Sequence, residues 1–137
     1  MAFRLSNDLK NALCLEVLTL MAGTSGTGGT ASLTIMNGTQ AASADDNGTG
    51  GTLCVINDIG WNVATSGTAG LAGSAYTGTA GTSGTATWAR MECINESGTC
   101  RIDGDVGTAA GNVFTINVNS FSSGGLITLT SADIYMA

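Results

Sequence analysis

The chain has 137 residues and a formal net charge of −6, with four basic residues and 10% charged residues in total. Nucleic acids and anionic membrane surfaces both attract basic residues, so this composition argues against either as a partner. Ordinary soluble proteins have about 25% charged residues, and a surface with so few charges is weakly protected against association. This composition suits a protein held in an assembly.

The length predicts one domain over residues 1–137, without a membrane segment. A chain of this size buries roughly two-thirds of its unfolded surface, so it can form a core. The apolar run at residues 12–22 contains Glu16 and is too short to span a bilayer. No signal peptide is recognised at the start of the sequence. We therefore expect neither a membrane span nor a secretory signal.

Residues 1–23 are predicted to hold the only helix, at 6–22. Ser6 is a suitable N-cap, Asp8 lies in the first turn where the helix dipole favours a carboxylate, and Gly23 ends the helix. One apolar stripe at helical spacing is predicted to face the core: Leu9, Leu13, Val17 and Leu20. A second apolar stripe contains Leu15, Leu18 and Met21. This second stripe is either buried in the chain's own fold or is in contact with another subunit.

Residues 24–137 are predicted to form β-structure with two Gly/Thr-rich loops, 37–51 and 65–84. After a low-complexity linker, residues 31–36 form a strand; residues 52–57 form a strand covered on both faces, and 61–64 form a further short strand. A structureless loop of ~20 residues is unusual in a compact domain. The segment 65–84 therefore contains a weak strand near 71–77 or is an arm ordered by a neighbouring subunit. Leu71 and Tyr76 are its candidate subunit contacts.

Residues 85–135 are predicted to form four strands, at 85–95, 99–106, 113–118 and 126–135. The strand at 113–118 alternates between apolar and polar residues, as a half-buried strand does. The last strand changes parity near Thr130, which indicates a β-bulge. One helix followed by six to eight strands with Gly-rich turns predicts a mainly β fold, a small antiparallel β-sandwich or barrel.

The hairpin around residues 95–99 allows two registers. A type I turn with Gly98 in the left-handed region sets Ile94 opposite Cys100 and places Cys93 on the other face. A two-residue loop instead aligns the apolar rows of both strands and sets Cys93 opposite Cys100, where a disulfide is geometrically feasible. Both registers remain open at this point, and so do a disulfide and two thiols for the pair.

No catalytic constellation and no cofactor site are predicted. The chain has no histidine, and its carboxylates lie mostly in Gly-rich turns, which disfavours general acid–base catalysis. Zinc would need all four scattered cysteines, and buried thiols are the preferred interpretation of Cys14 and Cys54. The acidic group at 45–47 lacks the EF-hand spacing, and the one at 103–105 fits a bend or a solvated strand. We therefore expect no enzymatic activity and no bound metal.

Short motifs follow one another in order along nearly the whole chain. An opening helix, RLSNDLKNALCLEVLTLMAG, precedes a Gly/Thr linker and a strand that ends in NGTQ, at residues 33–40. A GTL strand follows at 51–57, then GTATW at 84–88, SGT at 97–99 and DGDVGT at 103–108. In this order the motifs resemble a family of small Gly/Thr-rich virion structural proteins of tailed bacteriophages.

The resemblance implies a non-enzymatic component of the phage particle, made in the host cytoplasm. The expected role is capsid decoration, in which a cement protein contacts the major capsid protein or other virion proteins. A homo-oligomer such as a trimer suits that position. Cys93, Cys100 and the long segment 65–84 depart from the family's pattern. The first alternative is a subunit associated with the neck, tail or fibre.

An alternative of another class is a secreted β-sandwich that binds carbohydrate. Such sites present several exposed aromatic side chains, and this chain offers Trp61, Tyr76, Trp88 and Tyr135. Two of them exposed side by side would favour the carbohydrate module, whereas their location at a subunit contact would favour the virion protein.

Overall fold

The computed structural model describes residues 6–22, 31–62, 66, 68–73, 75–95 and 98–135, and it confirms a mainly β fold with one N-terminal helix. The predicted linker at 23–30 lies outside these residues. The elements have these bounds: α1 Asn7–Ala22, β1 Ala31–Met36, β2 Thr52–Ile59, β3 Thr68–Ala69, β4 Tyr76–Thr79, β5 Gly84–Thr85, β6 Trp88–Asn95, β7 Gly98–Gly107, β8 Phe114–Ile116, β9 Ser120–Phe121, β10 Leu126–Ala132 and β11 Ile134–Tyr135.

Seven strands form one sheet in the order β2-β1-β6-β7-β8-β10-β4. Neighbouring strands are antiparallel except β7 and β8, which run parallel with Val106 opposite Phe114. The predicted antiparallel arrangement thus contains one parallel pair, because residues 108–113 cross between these strands instead of forming a hairpin. Two short ladders, β3 with β11 and β5 with β9, accompany the main sheet.

The two edges of the seven-stranded sheet meet, so the fold is a nearly closed barrel. Cys54 of β2 and Ala80, directly after β4, form an isolated antiparallel β-bridge between their backbones. Next to it, the amide of Gly81 donates a 2.9 Å hydrogen bond to the carbonyl of Leu53. Gly78 lies where β4 approaches β2. A Cβ at this position would be 2.5 Å from the Val55 oxygen and 2.9 Å from the Cys54 sulfur. Closure of the barrel therefore requires a residue without a side chain at position 78.

Alternate side chains of the barrel strands point inward and form the core. Leu33 and Ile35 of β1 are fully buried, and the strand register sets them opposite Met91 and Ala89 of β6, which are also fully buried. Ile127 and Leu129 of β10 contribute to the same cluster from the other side of the barrel. Full burial of each large aliphatic side chain contributes roughly 1.5–3 kcal/mol.

The predicted loop at 65–84 is wrong as a single loop, because it contains β3 and β4. The weak strand expected near 71–77 lies instead at Tyr76–Thr79, and Leu71 only bridges Trp61. Of the predicted strand at 61–64, Trp61 forms that bridge, and residues 63 and 64 lie outside the described part. Gly, Ala and Thr carry little periodic signal, so pairing with β10 and β11 decides where these strands form.

Three other predicted strands differ from those observed. The strand at 113–118 ends at Ile116, because the Asn117 side chain accepts a 2.8 Å hydrogen bond from the Thr128 amide. The strand at 85–95 is divided into β5 and β6, and the strand at 126–135 is interrupted at Asp133. The β-bulge predicted near Thr130 is confirmed by the register shift between Leu129 and Ser131.

The expectation that the strand at 52–57 is covered on both faces holds only at the adjacent residues Leu53 and Cys54, which are both buried. Val55 is 41% exposed, and Asn57 is also exposed. Strand β2 belongs to a barrel wall, so one face is in contact with the core and the other faces outward.

Candidate functional site

Helix α1 packs against β3, β6 and β7, and it leaves much of its apolar surface uncovered. Its start agrees with the prediction: the Leu9 amide donates a 3.3 Å hydrogen bond to Ser6 Oγ, as an N-cap requires. Cys14 is fully buried, and Val17 is packed against the barrel core. The side of α1 that carries Cys14 and Val17 therefore faces the barrel.

The core-facing stripe predicted on α1 is wrong at two of its four positions. Leu9 and Leu13 are 47% and 43% exposed, whereas Val17 packs on the core as expected. The side chain of Leu20 lies outside the described residues. Leucines occur all round this helix, so its local pattern does not single out one face. The fit of the small Cys14 side chain against the barrel decides the rotation.

Three leucines, which we call the α1 leucines, flank the buried line of the helix: Leu9, Leu13 and Leu15. Leu15 is 50% exposed. With 3.6 residues per turn, Leu9 and Leu13 lie on one flank and Leu15 lies on the other. The helix thus presents apolar surface on both sides of its contact with the barrel.

The other predicted subunit contacts are placed differently. Leu71 and Tyr76 are half-buried and pack against the chain's own core. The hydroxyl of Tyr76 accepts a 3.1 Å hydrogen bond from the Gly60 amide. These two residues therefore connect Gly60 and Trp61 to the core of the chain. The side chains of Leu18 and Met21 lie outside the described residues.

The loop at 37–51 folds over the outside of the barrel and covers Trp88, which is 2% exposed. Gly48 lies directly on the indole ring, where a Cβ would collide with Cζ2. At the ends of the loop, the Thr87 hydroxyl donates a 2.8 Å hydrogen bond to the Gly38 carbonyl, and the Asn37 side chain accepts a 2.6 Å bond from the Gly51 amide. The loop is therefore an ordered cover.

Arg90 holds the middle of this loop. Its guanidinium donates 2.7 Å hydrogen bonds to both carboxylate oxygens of Asp103 and to the Asp46 carbonyl, and it lies 5.6 Å from the centroid of the Trp88 ring. The hydrogen bonds to Asp103 raise the pKa of Arg90, whereas burial acts in the opposite direction. Sequence reasoning missed this cluster. The two-residue hairpin register, which sets Arg90 opposite Asp103, would have revealed it.

The hairpin between β6 and β7 has the two-residue register. Asn95 pairs with Gly98, Met91 pairs with Ile102, and Cys93 lies directly opposite Cys100. The alternative with a G1 bulge is therefore wrong, because it would break the match of apolar rows across the two strands. In this register the predicted disulfide between Cys93 and Cys100 stays geometrically feasible.

The carboxylates of the acidic group at 103–105 have partners within the fold, whereas the group at 45–47 contributes a backbone carbonyl. Arg90 occupies the carboxylate of Asp103 and the carbonyl of Asp46, and Asp105 accepts a 2.8 Å hydrogen bond from the Val113 amide. In the part of the chain that the structure describes, no three Cys, Asp or Glu side chains come together as metal ligands. No described helix is long and apolar enough to cross a membrane.

A shallow cleft of about 530 Å³ opens beside β8 and β10. Its lining is made of small, mostly polar residues: Thr108, Ala110, Gly111, Asn112, Val113, Thr115, Ser131 and Asp133. The Asp133 carboxylate accepts a 3.2 Å hydrogen bond from the Ser131 hydroxyl. One carboxylate beside hydroxyl groups supplies neither an acid–base pair nor a base-activated nucleophile.

The described aromatic side chains do not form an exposed platform. Trp88 is buried under the loop at 37–51, and Trp61 and Tyr76 are half-buried against the core. The side chain of Tyr135 lies outside the described residues. The arrangement that a carbohydrate module requires, with two aromatic side chains exposed side by side, is not made by Trp61, Tyr76 and Trp88.

Comparison of the chain with protein-family models, with curated proteins and with solved structures finds no match. The assignment of function therefore depends on the chain's own surface and sequence motifs. The exposed large apolar side chains of the described residues are the α1 leucines, Val55, Val113 and Leu126, and three of these six lie on one helix.

Proposed function

We propose that the chain is a non-enzymatic structural protein of a tailed-bacteriophage virion, most specifically a capsid decoration protein that stabilises the assembled shell. The carrying observation is the exposure of Leu9, Leu13 and Leu15, at 43–50%, on a helix that already rests on its own barrel. A surface helix of a monomer normally turns one apolar stripe inward and a polar face outward. Apolar side chains on both flanks are expected where a second surface covers the helix.

The order of the motifs along the chain gives independent support. The opening helix, the strand ending in NGTQ and the DGDVGT segment, in this order, resemble the motifs of small virion structural proteins of tailed phages. The folded chain uses these motifs as α1, β1 with the start of the 37–51 loop, and the end of β7. Each of the three is thus a defined structural unit of the barrel.

The distribution of charge also favours close packing against neighbours. Arg90 and Arg101 are both engaged in ion pairs, with Asp103 and Glu92. On β4 and β10, the outward side chains are uncharged: Thr77 lies opposite Thr128, and Leu126 is 63% exposed. A contact over these strands removes no charged group from water, so it avoids the cost of desolvating one.

The α1 leucines alone give weak binding per copy. Covering the exposed half of each side chain contributes roughly 1 kcal/mol, or roughly 3 kcal/mol for three. A millimolar complex already needs about 4 kcal/mol. Firm attachment therefore requires several linked copies, which raises the effective concentration of each further contact. This requirement favours a homo-oligomer, such as a trimer, and partners in a repeating lattice of major capsid protein.

The alternatives are a subunit of the neck, tail or fibre, and a secreted carbohydrate-binding module. The α1 leucines fit any of the virion positions equally well. The burial of Trp88 and the half-burial of Trp61 and Tyr76 disfavour the carbohydrate module.

The test measures the mass of the purified chain at several concentrations and its co-sedimentation with shells of the phage that encodes it. We expect saturable binding to assembled shells, no binding to free major capsid protein, and greater heat resistance of the decorated shells, since a ligand of the assembled state stabilises it by mass action. A stable oligomer that ignores shells would move the assignment to neck, tail or fibre. A monomer that binds neither form but is retained on a glycan column would overturn the virion assignment.

A further inference from the structure

Cys93 and Cys100 lie directly opposite each other in the β6–β7 ladder, so their side chains extend on the same face of the sheet. Cα atoms of residues directly opposite each other in an antiparallel ladder are about 4.5–5.5 Å apart. This separation lies within the range of Cα distances found in disulfides.

The two cysteines differ in their access to solvent. Cys93 is 1% exposed and belongs to the core cluster, whereas Cys100 is only partly buried at its edge. A small oxidant therefore reaches Cys100 first. Cys93 is then placed to attack the modified Cys100 from the neighbouring strand, and its burial keeps other molecules away from it.

We infer that Cys93 and Cys100 form an intrachain disulfide when the protein meets a small-molecule disulfide such as oxidised glutathione. The Cys100 thiolate attacks one sulfur of oxidised glutathione, forms a mixed disulfide and releases one glutathione thiolate. Cys93, after losing its proton to water, attacks the Cys100 sulfur and releases the second glutathione. Two thiols are thereby oxidised to one disulfide, and one small disulfide is reduced to two thiols.

The other cysteines compete poorly for the same oxidant. Cys14 and Cys54 are at most 2% exposed, and burial raises the pKa of each thiol, so less of the reactive thiolate is present. Cys54 lies on β2, two strands away from β6 in the barrel order. Cys14 lies on α1, which packs on the same hairpin, and it is the competitor that the experiment must distinguish.

This reaction goes beyond the proposed virion role and does not depend on it. A virion protein is made in a reducing cytoplasm but persists outside the cell, where small disulfides are not reduced. A disulfide between β6 and β7 would then stabilise their hairpin, which carries Arg90 and Asp103 and packs against α1. The barrel would fold with thiols and acquire the bond afterwards.

The test uses the full-length chain, first fully reduced and then incubated with oxidised glutathione. Remaining thiols are alkylated, the protein is unfolded, and trypsin is added. Trypsin cleaves after Arg90 and Arg101, so both cysteines fall in one peptide, residues 91–101. We expect this peptide to lose two hydrogen atoms and to take up no alkyl group, while Cys14 and Cys54 are alkylated. A bond from Cys14 would instead join two different peptides.

A second readout is the melting temperature of oxidised and reduced protein. Closing this short loop is expected to raise it by roughly 5–10 °C. Cys100→Ser should abolish the difference, and Cys14→Ser, the matched control on α1, should retain it. The inference is overturned if peptide 91–101 carries two alkyl groups after oxidation, if glutathione stays attached to Cys100, or if Cys14 is found in the bridge.

Discussion

Arg90 and Asp103 face each other across β6 and β7 and form two parallel hydrogen bonds, each 2.7 Å long. Their side chains are only 7% and 5% exposed. The same guanidinium also binds the carbonyl of Asp46, so one ion pair attaches the loop at 37–51 to the barrel wall. The chain's other described ion pair, Arg101 with Glu92, is longer, at 3.2 Å, and much more exposed.

The difference between these two ion pairs predicts a difference in stability. Asp103→Asn should lower the free energy of unfolding by roughly 3 kcal/mol, because it leaves a buried guanidinium without its counter-charge. Glu92→Gln is the matched control, and it should cost less than about 0.5 kcal/mol, because the Arg101–Glu92 pair is screened by water. Urea denaturation followed by tryptophan fluorescence measures both. Equal losses for the two variants would contradict a structural role specific to Arg90 and Asp103.

The contact between Gly48 and Trp88 predicts a second effect. Gly48→Ala should displace the loop from the indole, because the added Cβ collides with the ring, and should destabilise the fold by roughly 1–3 kcal/mol. The Trp88 fluorescence, read in a Trp61→Phe background, should shift to longer wavelength as water reaches the ring. Gly81→Ala is the control, because a Cβ at Gly81 would meet nothing within 4 Å. A Gly48→Ala protein with unchanged fluorescence would show that the loop does not cover Trp88.

Closure of the barrel predicts a third effect, at Gly78. An alanine there would press against the Val55 carbonyl and the Cys54 sulfur, so β4 must move away from β2 at a cost of roughly 2 kcal/mol. Hydrogen exchange should become faster in β2 and at Ala80 and Gly81, whereas the β6–β7 ladder should stay protected. Thr77→Ala, an exposed change on the same strand, serves as control. Unchanged exchange at Gly81 in the Gly78→Ala protein would mean that closure does not depend on this contact.

The rotation of α1 predicts a fourth effect. Cys14→Leu should cost roughly 1–3 kcal/mol, because a larger side chain is forced into the fully buried space between helix and barrel. Leu13→Ala, the neighbouring control, should cost less than about 1 kcal/mol, because that side chain is nearly half exposed. Thermal unfolding of the two variants decides the matter. If Leu13→Ala were instead the more destabilising change, Leu13 would face the core, as the predicted leucine stripe requires.

Local sequence pattern was sufficient where a residue's environment is set by its neighbours in the chain. The N-cap at Ser6, the strand at 31–36 and the bulge before Ser131 all follow from near neighbours, and all are found in the structure. The register of the β6–β7 hairpin was ambiguous in the sequence. Turn chemistry at Gly98 favoured one register, whereas packing of Met91 against Ile102 required the other, and packing prevailed.

The features that sequence reasoning missed depend on contacts between distant segments. Gly48 packs on the ring of Trp88, and Gly78 allows the backbone of β2 to approach β4 closely. The residues around these two glycines resemble those around the other loop glycines, so the local sequence does not single them out. On α1, leucines on every side removed the periodic signal, so the burial of Cys14 had no local indicator. Side-chain size at a specific contact, which a single sequence does not reveal, decided each of these cases.

The proposal that α1 attaches the chain to a virion is tested most directly by shell binding of variants. The double variant Leu13→Ser with Leu15→Ser removes one α1 leucine from each flank of the helix, and Val55→Thr, which changes a 41% exposed apolar side chain on β2, serves as control. Co-sedimentation with assembled shells measures the dissociation constants. We expect the double variant to bind at least about tenfold more weakly, which corresponds to ~1.4 kcal/mol per attached unit, while the control binds like the unmodified chain. Equal binding of all three proteins, each with an unchanged melting temperature, would contradict attachment through α1.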